Sequence, residues 1–253
     1  GVKLFDRISR KLYLTENGRR ALQYARHIID LLDEMEQGVR DVDAMGRLKV
    51  GTSITIGTYL LPGYIKKLKQ QYPALKVEAS IANSGTIEQQ ILDNDIDVGI
   101  IEGVAHSPFI LSESFAGDRL VFICPAGHEF AGKTLEELSE VRNQDFILRE
   151  KGSAGREIFD GILAAQELNV RPIWQSASNQ VILQGVKAGL GISILPYFLV
   201  RQDIREGELA EFRIKDLALN RKYSVIYHKN KFLPRSARTL MELCKEGNGA
   251  DRP

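Results

Sequence analysis

From about residue 47 onward, apolar segments of strand length alternate with amphipathic segments of helical length. The first set reads strand, helix, strand, helix, strand, at residues 48–50, 58–72, 75–81, 86–94 and 97–101. Strands that are joined through a helix run parallel in one sheet, and their helices cover its faces. The alternation therefore predicts an α/β fold built on a parallel sheet.

A second set of strands and helices follows, at residues 120–124, 146–149, 154–168, 170–174, 179–189 and 191–195. Two α/β units in series predict two lobes. The last strand, 223–227, and the helix 235–246 fit either lobe. A chain that returns to the first lobe would cross between the lobes twice, which predicts a cleft with a hinge.

A hairpin and a long helix precede this region. Residues 8–14 read as a short hairpin with Ser9 to Lys11 in the turn, and Thr15 supplies an N-cap hydroxyl for the next helix. From residue 15 to about 45 there is no proline, and apolar residues recur at spacings that alternate between four and three. This heptad seam consists of Ala21, Ala25, Ile28, Leu32, Met35, Val39 and Val42.

The heptad seam predicts a helix that pairs with a second copy of itself. An amphipathic helix that lies on the core of its own domain is the alternative. A helix of roughly 40 Å that is mostly polar off the seam favours self-association. We expect Ile28, Leu32, Met35 and Val39 to form the dimer contact.

Charge is concentrated near the beginning of the chain. Residues 1–20 hold six Lys or Arg and two acidic residues, whereas residues 30–43 hold six acidic residues and one Arg. The whole chain has a net charge of +1, so no global field attracts a polyanion. Any nucleic-acid surface therefore has to be local.

Composition indicates a cytoplasmic protein without a membrane partner. The longest apolar runs, such as 191–200, are far shorter than the roughly 20 residues of a membrane span. The first residues lack the apolar stretch of a secretory signal. Cys124 and Cys244 stand far apart in the sequence and in no metal-binding spacing, which fits reduced thiols in a reducing compartment.

Small polar residues follow the first two strands. Ligands of open parallel sheets bind at the carboxyl ends of the strands, where hydroxyls and the free N–H groups of a helix start can hold a carboxylate, sulfate or phosphate oxygen. The alternative is that these side chains only cap helices. The candidates are Thr52, Ser53 and Thr55 after the first strand, and Asn83, Ser84 and Thr86 after the second.

The second lobe offers a loop with two glycines and three cations, at residues 149–156, which favours a small anion. Ser153 lies in this loop, and Asn179 begins a later helix. The alternatives are a mobile basic surface loop for the first and a helix cap for the second. We take both residues as candidates for the same site.

Catalytic motifs are lacking in the sequence. It contains no HExxH, CxxC, Walker A or GxSxG motif, and its four histidines are scattered. We therefore expect no enzyme activity, no metal site and no cofactor. An enzyme with an anion site stays open only as a third hypothesis.

Several short segments resemble LysR-type transcriptional regulators. Leu4-Phe5-Asp6-Arg7 with Arg10, followed by Leu14 to Arg19, resembles the wing and the start of the next helix in that family. The order of later segments agrees over essentially the whole chain. These are Gly46 to Gly51, Leu61-Pro62, Tyr72-Pro73, Asp97 to Ile100, Gly189 to Ile192 and Leu195-Pro196.

The resemblance implies a winged helix-turn-helix that is dimerised by a linker helix and followed by a two-lobed effector domain similar to periplasmic binding proteins. It implies a cytoplasmic dimer or tetramer, double-stranded DNA and a small-molecule effector as partners, and RNA polymerase as a further partner. The wing would span 1–15 and the linker helix 16–45. Lobe I would span 46–121 and 228–247, and lobe II 122–227.

The resemblance places the DNA-reading helix before Gly1, which leaves the wing in this chain. Arg7, Arg10 and Lys11 match the region that approaches the DNA backbone, because phosphate contacts need cations but no base-specific geometry. A solvated basic hairpin is the alternative.

The leading hypothesis is a transcriptional regulator that responds to a small anionic or carboxylate-bearing effector in the cleft between the lobes. The candidates above match the ligand-contacting loops of the family. The alternative is a solute-binding protein of a transport system, which would use the same two-lobed cleft.

Overall fold

The computed structural model describes residues 1–8, 11–40 and 46–246. Strands β1 (Phe5–Ile8) and β2 (Lys11–Leu14) pair antiparallel, which confirms the hairpin and begins it three residues earlier than expected. Ser9 and Arg10, at its tip, lie outside the described residues. Within the described ranges no helix is long and apolar enough to cross a membrane.

Helix α1 (Glu16–Arg40) follows the hairpin directly. Thr15 caps it, because its hydroxyl accepts a hydrogen bond from the Gly18 N–H at 2.9 Å. Gly18 lets the hairpin approach the helix, since a Cβ there would lie 1.9 Å from the Leu4 carbonyl oxygen. The expected extension of the helix to residue 45 falls partly on residues that the structure does not describe.

Lobe I begins with a parallel sheet, as the alternation predicts. The predicted helix 58–72 is divided at Leu60, because Pro62 has no N–H to continue the hydrogen bonds of the first segment. The elements are β3 (Arg47–Ser53), α2 (Ile54–Tyr59), α3 (Leu61–Gln71), β4 (Lys76–Ala82), α4 (Ser84–Leu92) and β5 (Val98–Glu102), with β3 between β4 and β5.

The chain then forms lobe II and returns to lobe I with its last strand and helix. It comprises β6 (Ile110–Pro125), β7 (Thr134–Leu135), a short 3-10 helix (Leu138–Val141), β8 (Phe146–Arg149), α5 (Ala154–Ala165), β9 (Pro172–Ser176), α6 (Asn179–Lys187), β10 (Ser193–Pro196), α7 (Tyr197–Arg205), β11 (Leu209–Ile214), β12 (Asn220–His228) and α8 (Arg235–Glu246).

Strand β6 is much longer than the predicted 120–124 and belongs to both lobes. Phe115 packs in the core of lobe I, whereas Leu120 packs in the core of lobe II. The first crossing between the lobes therefore lies between these residues, a few positions before the expected residue 122.

Strand β12 corrects the second boundary. It pairs with β5 and with the first half of β6, so it belongs to lobe I. Leu219 lies in the lobe II core and Tyr223 in the lobe I core. The chain therefore returns near residue 220 and not near 228. The expected boundary is wrong because an isolated apolar strand fits either lobe, and only its pairing with β5 decides.

Each lobe has its own core on both faces of its strands. In lobe I, α3 and α8 cover one face and α4 covers the other with isoleucines such as Ile87 and Ile91. In lobe II, Phe159 of α5 packs against Phe122 and Phe146. Two chain crossings, in β6 and β12, join these cores.

Candidate functional site

The two lobes contact each other on both sides of the junction. On one side, the ring of Tyr59 on α2 meets that of Phe198 on α7 edge to face, with centroids 4.9 Å apart. On the other side, the Gly85 N–H of α4 donates to the Gly152 carbonyl before α5 at 3.0 Å. The lobes are thus already closed against each other.

A cavity of about 190 Å³ lies between the lobes. Ile54, Thr58 and Tyr59 of α2 line one side, and Ser178, Asn179 and residues of α6 and α7 line the other. This volume is below the roughly 300 to 1,000 Å³ of pockets for drug-sized molecules. The cavity therefore suits a small ligand.

Ile54, which lines this cavity, is flanked in the chain by three hydroxyls without hydrogen bonds, and we call residues 52–55 the lobe I wall. Thr52, Ser53 and Thr55 are each at most 2% exposed, and none of their side-chain oxygens has a partner among the described residues. Ser53 occupies the N-cap position of α2, yet its hydroxyl makes no capping bond. A buried hydroxyl without a partner costs free energy, so these three are available to a ligand that reaches them.

The second loop of lobe I is bonded within the protein. Asn83 caps α4 by accepting from the Thr86 N–H at 2.9 Å. The Ser84 hydroxyl donates to the Glu102 carbonyl at 2.9 Å, and Thr86 exposes its side chain. Asn83 faces lobe II, because its Oδ1 would lie 3.2 Å from a Cβ at Gly152, where φ is +85°.

The buried arginines next to Asn179, which lines the cavity, are bonded within the protein, and we call residues 149–156 together with Asn179 the lobe II wall. The guanidinium of Arg149, at the end of β8, binds both carboxylate oxygens of Glu150, with Nε–Oε2 at 2.9 Å and Nη2–Oε1 at 3.1 Å. Its Nη1 donates to Asn179 Oδ1 at 2.9 Å. Ser153 caps α5 by accepting from the Arg156 N–H at 3.3 Å.

A buried charge cluster lies where β6 and β12 cross between the lobes. Arg221 on β12 binds Asp118 on β6 with Nε–Oδ1 at 2.6 Å, and its Nη1 lies 3.1 Å from Glu102 Oε2. Burial would lower the pKa of Arg221, but the two carboxylates outweigh it and keep the group charged. Burial and the nearby Asp118 raise the pKa of Tyr223, whose hydroxyl donates to Asp118 at 2.8 Å. The cluster fixes both strands that cross between the lobes.

Residues 43–249 match the family model of the LysR substrate binding domain. The chain belongs to the LysR family. It is 34% identical over 250 residues to the uncharacterized HTH-type transcriptional regulator YeiE of Escherichia coli K12, a match that covers 98% of this chain and 84% of that protein.

Solved LysR domains share the fold. The regulatory domain of CcmR from Synechocystis PCC6803, in complex with 2-PG, superposes with a TM-score of 0.72 at 24% identity, over 81% of this chain and 98% of that one. The effector binding domain of QuiR in complex with shikimate gives 0.70 at 15%, over 80% and 97%. The two-lobed fold similar to periplasmic binding proteins is therefore confirmed. The family consists of transcriptional regulators and not of enzymes.

The predicted effector residues of this LysR protein fall into two groups. Thr52, Ser53 and Thr55 lie together with unused hydroxyls. The others are caps, internally bonded or exposed: Asn83, Ser84, Thr86, Ser153 and Asn179. Arg149 and Glu150 were not among the candidates, although the basic loop that contains Arg149 signalled an anion site. The missing signal was burial, since Arg149 is only 8% exposed.

The predicted DNA and dimer contacts lie outside the effector domain. Arg7 and Lys11 have exposed side chains. Ile28, Leu32 and Met35 are 54% to 63% exposed, so the seam of α1 has no cover in a single chain at these positions. Arg10 and the side chain of Val39 lie outside the described residues.

Two further groups of reactive side chains are accounted for by their surroundings. The carboxylates of Asp203, Glu206 and Glu208 lie within 4.8 Å of one another, but Lys187 pairs with Asp203 and Glu208, and these hydrogen bonds raise the pKa of Lys187. Burial raises the pKa of Cys124 to about 11 and that of Cys244 to about 12. Both thiols are free and buried.

Proposed function

We propose that this LysR regulator senses a small anionic or carboxylate-bearing metabolite in the cavity between its lobes and transmits the binding event to DNA. The observation that carries the proposal is the group of unused hydroxyls at Thr52, Ser53 and Thr55. Three buried hydroxyls without partners in so short a segment are rare in a folded protein unless a ligand or water completes their hydrogen bonds.

The chemistry around the hydroxyls favours an anion. They are neutral donors, and on the opposite side of the cavity the guanidinium of Arg149 donates to Asn179, which lines the cavity. Backbone N–H groups at the starts of α2 and α6 add further positive potential. The ligand 2-PG of CcmR and shikimate of QuiR show that this fold holds small molecules in relatives.

Two surfaces would connect the effector domain to DNA. The seam Ile28, Leu32, Met35 and Val39 would pair two chains, because an exposed apolar stripe of this length needs cover. Leu32→Asp should then convert a dimer to a monomer in sedimentation at micromolar concentration. Arg7, Arg10 and Lys11 would contact the phosphates of double-stranded DNA.

A solute-binding protein of a transport system, the alternative in the sequence analysis, would use the same cleft. Family membership and the uncovered seam of α1 favour the regulator.

The test of the effector site is calorimetric titration of the whole protein with sulfate, phosphate, 2-PG and shikimate. At least one anion should bind, and Thr55→Val should weaken that binding by about 0.5 to 1.5 kcal/mol, the contribution of one hydrogen bond. Thr58→Val is the matched control, because Thr58 lines the cavity but its hydroxyl already donates to the Ile54 carbonyl at 2.7 Å. Equal effects of the two substitutions, or the absence of anion binding, would contradict the proposal.

A further inference from the structure

We infer that Arg149 is the anion-binding residue of lobe II and that Glu150 is an internal competitor, which the anionic group of the effector displaces. This inference rests on the proposed function, because it assumes a ligand in the cavity between the lobes. It adds the chemical class of the group that is recognised, a carboxylate, sulfate or phosphate with two oxygens in one plane with the guanidinium.

The geometry of the ion pair is that of a bound ligand. Nε and Nη2 of Arg149 face both oxygens of Glu150, which is the two-bond arrangement that guanidinium groups form with free carboxylates and phosphates. The third contact, from Nη1 to Asn179, fixes the plane of the guanidinium from the cavity side. An anion that replaces the carboxylate of Glu150 can therefore make the same bonds to an arginine that is already oriented.

Arg149 is more deeply buried than Glu150, as displacement of Glu150 by an anion requires. The side chain of Arg149 is 9% exposed, whereas that of Glu150 is 24% exposed. Displacement would return Glu150 to water while the incoming anion keeps the buried guanidinium paired. The charge next to Arg149 stays the same during the exchange, so no uncompensated buried charge is created.

The same loop touches lobe I, which gives the exchange a consequence. Glu150 and Gly152 belong to one turn, closed by the Ser153 N–H to the Glu150 carbonyl at 3.3 Å, and Gly152 accepts from Gly85 of lobe I at 3.0 Å. A rearrangement of Glu150 therefore occurs next to a direct contact between the lobes. Binding of the anion would thus alter the contact between this turn and the start of α4.

The experiment compares Glu150→Gln with the wild-type protein in calorimetric titrations with sulfate, phosphate and 2-PG at constant ionic strength. Removal of the competitor should tighten binding by about fivefold, the equivalent of a partly exposed ion pair of about 1 kcal/mol. Arg149→Lys keeps the charge but loses the planar pair of donors, and it should weaken binding by about tenfold or more.

Glu157→Gln is the matched control. It also removes one negative charge, but Glu157 lies in the first turn of α5 and pairs with His106 and not with Arg149. The melting temperature of the ligand-free proteins distinguishes competition from a general loss of structure. Glu150→Gln should lower the melting temperature, because it removes an ion pair, and should still raise the affinity for the anion. If the wild type binds an anion and Glu150→Gln leaves or weakens its affinity, the inference is wrong and the proposed function stands. If neither protein binds any of the anions, both are wrong.

Discussion

The two walls of the interlobe cavity present opposite kinds of polar surface. The lobe I wall has three neutral hydroxyls with no hydrogen bonds, at Thr52, Ser53 and Thr55. On the lobe II wall the two buried arginines, Arg149 and Arg156, already donate to groups of the protein. A ligand therefore gains new bonds on the first wall but must exchange existing bonds on the second. Under the proposed function, we therefore expect lobe I to contribute affinity and lobe II to contribute selectivity for charge.

The largest expected effect is on the free energy of unfolding, after a substitution in the lobe II wall. Arg156 is 7% exposed, and it binds Asp160 at 2.7 Å and the Arg149 carbonyl at 3.1 Å. Arg156→Met should lower the free energy of unfolding by about 1 to 3 kcal/mol, because it leaves the buried Arg149 carbonyl without this donor and breaks the ion pair with the partly exposed Asp160. Denaturant unfolding measures this loss.

Arg213→Met is the control for that substitution. Arg213 pairs with Glu211 at 3.0 Å, but its side chain is 70% exposed, so its loss should cost less than about 1 kcal/mol. Similar losses for the two arginines would mean that the lobe II wall is not stabilised by its buried bonds, and the contrast between the walls would fail.

A smaller effect of the opposite sign is expected on the lobe I wall. Thr52→Val and Thr55→Val keep the shape of the side chain and remove a buried hydroxyl that has no partner. Each should raise the free energy of unfolding by up to about 1 kcal/mol while weakening anion binding. Urea unfolding of the ligand-free protein tests the sign.

Ser84→Ala supplies the comparison within the same lobe. Ser84 is 5% exposed, and its hydroxyl donates to the Glu102 carbonyl, so its removal should lower the free energy of unfolding by about 1 kcal/mol. A loss of stability in the two valine variants as large as in Ser84→Ala would show that the hydroxyls of Thr52 and Thr55 are bonded in solution.

The contrast between the walls also marks what could be predicted from the sequence. The α/β alternation gave the order of the elements, and the helix predicted at 235–246 has the bounds of α8. The length of strand β6 was underestimated, because its first half contains exposed polar residues such as Ser112 and Ser114 between its apolar ones. Helix α7 and strand β11 were not predicted.

Within the site, residue type alone could not separate the two walls. Ser53 and Ser153 both occupy N-cap positions with extended backbone, and only the second makes the capping bond. The difference arises from the orientation of each side chain in its packed surroundings, which sequence patterns do not encode. For the same reason the sequence located the basic loop but could not identify which of its cations is buried against Asn179.

The smallest expected effect is the coupling between the walls. If one anion bridges them, the loss of Thr55 and the loss of Arg149 should not add, because a ligand released from one wall is held less well by the other. A double-mutant cycle of Thr55→Val with Arg149→Lys, followed by sulfate titration, should give a coupling of about 0.5 to 1 kcal/mol. Thr55→Val with Ser178→Ala serves as the uncoupled pair, since the Ser178 hydroxyl caps α6 through the Val181 N–H at 3.3 Å. Additive losses in the first cycle would mean that the two walls contribute independently, and a substitution without effect would place the anion on the other wall alone.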